Sequence, residues 1–218
     1  MMRFYFIKVL LNNHNQFFGW VLRLYHHKEM SDIRFIKPIL DASYQPKKLA
    51  AKTLSKQGYT LDKKLSTNES KVFIDSEGNP NIAFRGSTNA KDFLFSDALV
   101  GLGGSRLDPR FTEAKALTKR VEAKYGKPAD VFGHSLGGTL AEASGASGKI
   151  TTFNKGVGYG DIGKSIPKNQ TDIRTRNDVV SALALTQKHD GDLVNLKTSL
   201  LQNPVKAHSL DNLSVPFV

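Results

Sequence analysis

A serine flanked by glycines is the feature of this chain best suited to chemistry. The stretch Gly133-His134-Ser135-Leu136-Gly137-Gly138 has the pattern G-x-S-x-G. An apolar run of strand character, residues 129–132, precedes it, and a segment of good helix formers, residues 139–143, follows it. A strand, a sharp turn carrying serine and a helix together form a nucleophile elbow. The pattern therefore predicts Ser135 as a nucleophile, the alternative being a glycine-rich loop that only links a strand to a helix.

A serine hydroxyl needs a base that removes its proton, and the base needs an acid that orients it. Only two histidines follow Ser135 in the sequence, His189 and His208. His208 lies where the last loop of an open α/β sheet returns over the sheet, and we favour it as the base. His189 sits in a polar turn that looks exposed, and it stays the alternative.

The acid has several candidates, of which Asp178 is favoured. Asp178 comes directly after a predicted strand over residues 172–176, and open α/β sheets carry their sites at the carboxyl ends of their strands. Its other reading is a helix cap for residues 179–185. The remaining candidates are Asp161 in a glycine-rich loop, Asp172 at the opposite end of the same strand, Asp190 and Asp192.

A tetrahedral oxyanion needs two hydrogen-bond donors aimed at it. The backbone N–H of Leu136, the residue after the nucleophile, is the first predicted donor. Ser87 is the second, because it follows a predicted strand over residues 81–85 and Gly86 permits tight backbone geometry there. These residues together predict acyl-transfer chemistry that needs no metal and no cofactor.

The elements around these residues alternate between strand and helix. Strands are predicted over residues 71–75, 81–85, 129–132, 149–153 and 172–176, and helices over residues 112–125 and 136–146. Residues 31–57 have helical spacing of apolar residues, which we expect Pro38 and Pro46 to divide. This order predicts an α/β fold, with a mostly parallel central sheet and flanking helices, as one compact domain over residues 31–218.

The charge distribution of the 218 residues bears on which kinds of partner the protein binds. The net charge is +11, and residues 1–70 hold twelve of the 31 Lys and Arg residues but only five of the 20 Asp and Glu residues. This basic third favours either an anionic membrane surface or plain solubility. No compact nucleic-acid-binding motif is present, so a nucleic-acid partner is not expected.

Residues 1–30 are predicted to be an appendage to the domain. The apolar run over residues 4–11 is interrupted by Lys8 and lacks a small-residue cleavage site, so we expect no cleaved signal peptide. Residues 19–25 hold the only Trp beside basic residues, as an interfacial anchor would, and Met30 is an alternative start. The chain has no cysteine and no apolar run long enough to cross a bilayer. The compartment stays open between the cytoplasm and a secreted or viral package.

These residues resemble the class 3 lipases, the family of fungal triacylglycerol lipases and their bacterial and viral relatives. The resemblance covers roughly residues 70–210. It rests on Ala83-Phe84-Arg85-Gly86-Ser87, the Gly133–Gly138 elbow, Thr152-Phe153-Asn154, Arg176-Asn177-Asp178-Val179-Val180 and Ala207-His208-Ser209-Leu210. The resemblance implies a compact α/β-hydrolase fold. It also implies Ser135, Asp178 and His208 as the catalytic triad, Ser87 and Leu136 as the oxyanion hole, and a structural role for His134.

A candidate lid lies within residues 91–107, where members of that family carry theirs. Its apolar residues would face lipid, and its glycines would serve as hinges. The alternative is an ordinary helix that packs into the core. The candidate lid residues are Phe93, Leu94, Phe95, Leu99 and Val100.

The expected function is a serine carboxyl-ester hydrolase that acts on acyl lipids through an acyl-enzyme. A phospholipase and an esterase of small esters are the alternatives within enzymes. A lipid-surface binding module without catalysis is the more remote alternative.

Overall fold

A seven-stranded sheet forms the centre of the molecule. The structure is a computed structural model that describes residues 35–88, 108–157, 161–199 and 201–214. The strand order in the sheet is β1-β2-β3-β4-β5-β7-β9, and β6 and β8 form a separate two-stranded parallel pair. The strands are β1 Thr60–Leu61, β2 Ser70–Ile74, β3 Pro80–Phe84, β4 Asp130–His134, β5 Ile150–Phe153, β6 Ser165–Ile166, β7 Gln170–Thr175, β8 Lys188–His189 and β9 Asp192–Leu196.

Most of the sheet is parallel, as the sequence predicts. β1, β2 and β3 are antiparallel neighbours, whereas β3, β4, β5, β7 and β9 run in the same direction. The carboxyl ends of these five strands therefore lie along one edge of the sheet. Ser135, Asp178 and Ser87 each follow one of these strands closely in the chain, so the edge gathers the predicted site residues.

Helices cover both faces of the sheet. Neighbouring residues of a strand point to opposite faces, so Val72 packs with the cluster of α3 and α4, whereas Phe73 packs with α1 and α2. Each fully buried side chain of this kind contributes roughly 1.5–3 kcal/mol of transfer free energy. The helices are α1 over residues 35–44, α2 Lys47–Ser55, α3 Pro109–Tyr125, α4 Leu136–Ala143 and α5 Pro204–His208, with 3₁₀ turns at Ala182–Thr186 and Leu210–Ser214.

One local prediction is wrong, and one strand of the sheet was missed. Pro38 does not divide the first helix, because residues 35–44 are helical throughout. The carbonyl that an amide at this position would use belongs to residue 34, so no bond among the described helical residues is lost. β9, the edge strand over Asp192–Leu196, was not predicted, because its sequence DLVNL lacks a regular polar–apolar alternation. Pro46 does separate α1 from α2.

Parts of the predicted organisation fall on residues outside the described ranges. The appendage over residues 1–30 is one of them, and so are the lid residues Phe93, Leu94, Phe95, Leu99 and Val100. Within the described ranges, the helices are too short or too polar to span a membrane.

Candidate active site

Ser135 occupies a strained turn between β4 and α4. Its backbone angles are φ 58° and ψ −128°, which a residue with a side chain rarely adopts. The Ser135 carbonyl accepts hydrogen bonds from the amides of Gly138 (2.9 Å) and Gly156 (3.2 Å), which hold the turn in place. The turn presents the serine at the amino end of α4, as a nucleophile elbow does.

The two glycines of the motif are required by close backbone approaches. A Cβ on Gly133 would overlap the carbonyl group of Gly137, and a Cβ on Gly137 would overlap the carbonyl oxygen of Phe84. Each glycine therefore lets one element of the elbow lie directly against another. The glycine-rich motif serves this packing and is more than a linker.

Asp178 and His208 meet at the carboxyl edge of the sheet. The Nδ1 of His208 donates to Oδ1 of Asp178 over 2.9 Å, and both side chains are buried. Burial alone would raise the pKa of Asp178. The hydrogen bond and charge of His208, together with hydrogen bonds from Ser181, hold that pKa below its ordinary value. The carboxylate is therefore ionised and able to orient the imidazole.

The other ring nitrogen of His208 faces no protein partner. Because Nδ1 carries the proton given to Asp178, neutral His208 has a bare Nε2 that can accept one. Among the described residues this buried Nε2 has no hydrogen-bond partner, and no bond joins it to Ser135. Catalytic hydrogen bonds are often unformed before substrate binds. The ring of His134, next to Ser135 in the chain, lies 4.8 Å from the ring of His208.

The alternative base and acids have other partners. His189 lies in β8, where its Nε2 contacts the carbonyl of Ala184 at 2.9 Å, and the structure does not bring it to Asp178. Asp161 pairs with Lys164, and Asp172 pairs with Lys155 in the middle of the sheet. Asp190 and Asp192 are exposed.

The predicted oxyanion donors lie on two sides of Ser135. Leu136 is the first residue of α4, where backbone amides have no acceptor within the helix. Gly86 packs directly on the elbow, since a Cβ on it would lie 3.0 Å from Cβ of Ser135. The amide of Gly86 donates to Tyr44 and is not free for an oxyanion, and Ser87 stays the predicted donor of this loop.

A chain of hydrogen bonds joins His208 to the loop of Gly86 and Ser87, which we call the oxyanion loop after its predicted role. We call this chain the His134 network (Gly86, Tyr44, His134 and His208). The amide of Gly86 donates to the Tyr44 hydroxyl over 3.1 Å. The Nε2 of His134 lies 2.9 Å from the carbonyl oxygen of His208, and a carbonyl only accepts, so Nε2 carries the proton. Neutral His134 then accepts at Nδ1 from the Tyr44 hydroxyl, 2.7 Å away.

Both ionisable links of the His134 network are uncharged at neutral pH. Burial raises the pKa of Tyr44 to about 12. Burial, followed by the charge of His208, lowers the pKa of His134 to about 3. The resemblance implies a structural role for His134. In the structure, the side chain of His134 donates to the backbone carbonyl of His208.

A second buried polar group lies under α4, and we call it the Lys155 cluster (Glu142, Thr152, Lys155, Gln170 and Asp172). Lys155 is 2 % exposed and donates to Asp172 over 2.8 Å and to Glu142. Gln170 donates to Glu142 and to Asp172 (2.8 Å each), and Thr152 donates to Asp172 (2.6 Å). The cluster ties the elbow helix α4 to β5 and β7.

Asn154 supports the loop of His208 in the same way. Its side-chain amide donates to the carbonyl of Ala207 over 2.9 Å, and its side-chain oxygen accepts from the amide of Thr175 over 2.8 Å. Asn154 therefore joins the ends of β5 and β7 to the residue before His208. Sequence reasoning placed Asn154 in the resemblance but assigned it no contact.

Sequence reasoning missed Tyr44 and the Lys155 cluster. Tyr44 lies at the end of α1, 90 residues before His134, and nothing local to it signals a polar contact. For the Lys155 cluster, the available signal was one charge inside a predicted strand, Asp172, and an opposite charge just after another, Lys155. A search of the described residues for clustered His, Asp and Glu finds no group able to hold a metal ion.

Residues 37–193 match the sequence family described as phospholipase-like, the Tle-like phospholipase domain. This match spans well over half of the chain. The chain belongs to the Tle-like phospholipase domain family. This domain is a lipid ester hydrolase with an α/β-hydrolase fold, so the predicted lipase-like family and enzyme class are confirmed.

Solved lipase structures share the fold of this Tle-like phospholipase domain. One is described as a crystal structure of fungal lipases (TM-score 0.52, 16% identity, covering 85% of this chain and 84% of the other). For a mutant form of MDLA from Penicillium cyclopium, the TM-score is 0.53 and the identity 16%, covering 80% of this chain and 82% of the other. For a Rhizomucor miehei lipase propeptide complex, the TM-score is 0.51 and the identity 16%, covering 85% of this chain and 76% of the other. No curated protein matches the chain. At this identity the likeness concerns the fold alone.

Proposed function

We propose that this domain hydrolyses the acyl esters of lipids through a Ser135–His208–Asp178 triad and an acyl-enzyme. The observation that carries the proposal is the buried 2.9 Å hydrogen bond from His208 to Asp178 at the edge where the Ser135 elbow lies. That bond leaves His208 with a bare nitrogen for the serine proton.

In the first half of the reaction, the Ser135 oxygen attacks the ester carbonyl as Nε2 of His208 takes its proton. Asp178 holds the ring and stabilises the imidazolium that forms. The amide of Leu136 and Ser87 donate to the oxyanion, and each such donor typically contributes about 10²–10³ in turnover. His208 then gives its proton to the leaving alcohol.

In the second half, water replaces the alcohol. His208 removes a proton from this water as its oxygen attacks the acyl carbonyl on Ser135. Collapse of the tetrahedral intermediate releases the fatty acid and returns the proton to Ser135.

Phospholipids are the substrate class that we favour. The support is the family, which is described as phospholipase-like, and the basic character of the chain, which suits an anionic membrane surface. Triacylglycerols and small soluble esters are the substrates against which this preference is measured.

The test compares wild type with Ser135→Ala on phospholipid vesicles, triacylglycerol emulsions and soluble esters. We expect wild type to be fastest on phospholipid, and turnover in the variant to fall by about 10⁶. Ser147→Ala is the matched control, because Ser147 is an exposed serine beyond the end of α4. Vesicle binding by wild type without any turnover would replace the proposal with a lipid-binding module.

A further inference from the structure

A cavity of about 710 Å³ lies beside the predicted catalytic acid. It opens at the carboxyl edge of the sheet, where β7 and β9 end, and the 3₁₀ turn Ala182–Thr186 contributes to its wall. Asp178 belongs both to this wall and to the hydrogen bond with His208. A molecule in the cavity is therefore next to the triad.

The wall of this cleft is cationic. Arg174, Arg176 and Lys197 line it, against Asp178 as the only carboxylate among its described lining residues. Since Asp178 is engaged by His208, the three cations exceed the negative charge available to them. Val179 and Leu185 add large apolar side chains that are 51% and 57% exposed.

Strand register brings the cations together. β7 and β9 are parallel, with Arg174 opposite Asn195 and Thr175 opposite Leu196. Arg176 and Lys197 directly follow the last residues of β7 and β9, so the two cations are neighbours at the carboxyl edge of the sheet. Their position is thus fixed by the same edge that carries the triad.

Arg174 is the least satisfied of the three. It is only 5% exposed, yet its hydrogen bonds run to two neutral oxygens, Oγ of Ser181 at 3.4 Å and Oδ1 of Asn195 at 3.3 Å. No carboxylate of the described residues lies within ion-pair distance of it. A guanidinium has five N–H donors, and burying its charge without a counter-charge is unfavourable. The charge of Asp178 acts on Arg174 without an ion pair, and an anionic ligand in the cleft would add a direct partner for the guanidinium.

We propose that this cleft binds the phosphate of a phospholipid headgroup, with Arg174 as its floor and Arg176 and Lys197 at its mouth. The inference rests on the proposed function and deepens it. The planar fork of arginine matches two phosphate oxygens at once, and lysine adds a point charge. A short glycerol backbone joins phosphate to acyl ester, which suits a phosphate site that shares Asp178 with the triad.

The exposed apolar rim agrees with a lipid ligand. Val179 and Leu185 would contact the glycerol or the first acyl carbons while the phosphate is held by the cations. A free phosphate ion would satisfy the cations but would leave this rim in water. The experiment therefore treats the lipid and the free ion separately.

The first arm measures rates on phosphatidylcholine vesicles and on a soluble butyrate ester that lacks phosphate. Phosphatidylcholine carries the phosphate without net charge, which keeps surface attraction small. In the Arg176→Gln/Lys197→Gln double variant, we expect the phospholipid-to-butyrate rate ratio to fall by about ten- to a hundredfold. Both residues are exposed, so the fold tolerates the change.

The matched control is Lys149→Gln/Lys168→Gln. It removes the same charge from exposed positions at the amino ends of β5 and β7, away from the cleft. We expect this variant to keep the wild-type ratio. An equal fall in both double variants, or no fall in the first, overturns the proposal in favour of general surface electrostatics.

The second arm follows the melting temperature with inorganic phosphate. Phosphate should raise it in wild type and not in Arg174→Gln. If phosphate stabilises wild type while the rate ratio of the first arm stays constant, the cleft takes the free ion and the headgroup assignment is wrong. If wild type hydrolyses neither ester, the proposed function itself is refuted. That outcome is distinct from failure of the phosphate site, which requires a measurable rate ratio.

Discussion

The His134 network and the Lys155 cluster are both buried and polar, but they differ in charge. The network beside the triad is neutral, since the pKa values of Tyr44 and His134 lie at about 12 and about 3. The Lys155 cluster is ionic and joins α4 to β5 and β7. In the proposed mechanism His208 gains a positive charge, and neutral groups around it would not oppose that charge.

The two regions have different structural roles. The network holds the backbone of His208 and the oxyanion loop in register with the elbow. The Lys155 cluster fixes α4 on the sheet, so its loss should appear first as lost stability.

Asp178→Asn tests the one charge that contacts the His134 network. An amide cannot stabilise the imidazolium and favours the wrong tautomer of His208, so kcat should fall by about 10⁴. Steady-state kinetics on a soluble ester measure it. Asp190→Asn, at an exposed position, serves as control. A fall no larger than in this control would remove Asp178 from the triad.

Lys155→Met tests the ionic side of the comparison. It leaves Asp172 and Glu142 without their cation, which should lower the free energy of unfolding by about 3–5 kcal/mol. Urea denaturation measures it. Lys164→Met removes a cation from the more exposed pair with Asp161 and should cost less than about 1 kcal/mol. Similar losses in both variants would contradict a special role for the cluster.

The pH dependence of stability tests the neutrality of His134. Its folded pKa of about 3 lies below the ordinary value of 6.5, so the unfolded chain takes up a proton that the folded chain refuses. The stabilisation is complete above pH 6.5 and is lost as the pH falls towards 3, by up to about 1.4 kcal/mol per unit.

The measurement is urea denaturation of wild type and His134→Gln between pH 7 and 5. Glutamine keeps a donor for the carbonyl of His208 but does not titrate in this range. We expect a steeper loss on acidification in wild type than in the variant. Parallel curves would mean that His134 is not held neutral by the fold.

Tyr44→Phe tests the link between the oxyanion loop and His134. The variant leaves the amide of Gly86 and Nδ1 of His134 without a partner, which should cost about 1–3 kcal/mol of stability. If Tyr44 positions the site, kcat should also fall by about tenfold with KM unchanged. Tyr59→Phe is the matched control, since Tyr59 lies outside the network; equal kcat in the two variants would make Tyr44 purely structural.

The elbow and the parallel sheet could be predicted because their signals are local. The glycines beside Ser135 are required by contacts within a few residues and with one neighbouring strand, and short apolar runs mark β3, β4 and β5 as buried strands. Asp178 was favoured because sites lie at the carboxyl ends of strands, and His208 because the last loop returns over the sheet; the structure brings these two together.

The contacts that hold the site could not be predicted in the same way. Tyr44 reaches His134 from a helix 90 residues earlier, and only the packing of α1 on the sheet creates that contact. Arg174 reads as one cation in a basic chain until the register of β7 and β9 places it in a cleft. Long-range packing decides such partners, and a single sequence carries little record of it.

The most direct test of the central claim is covalent trapping of the nucleophile. A long-chain alkyl phosphonate ester should phosphonylate wild type at a single site, and peptide mass spectrometry should place the adduct on Ser135. We expect Ser135→Ala and Asp178→Asn to be labelled far more slowly or not at all. An adduct on another residue, or ester hydrolysis that persists in Ser135→Ala, would contradict it.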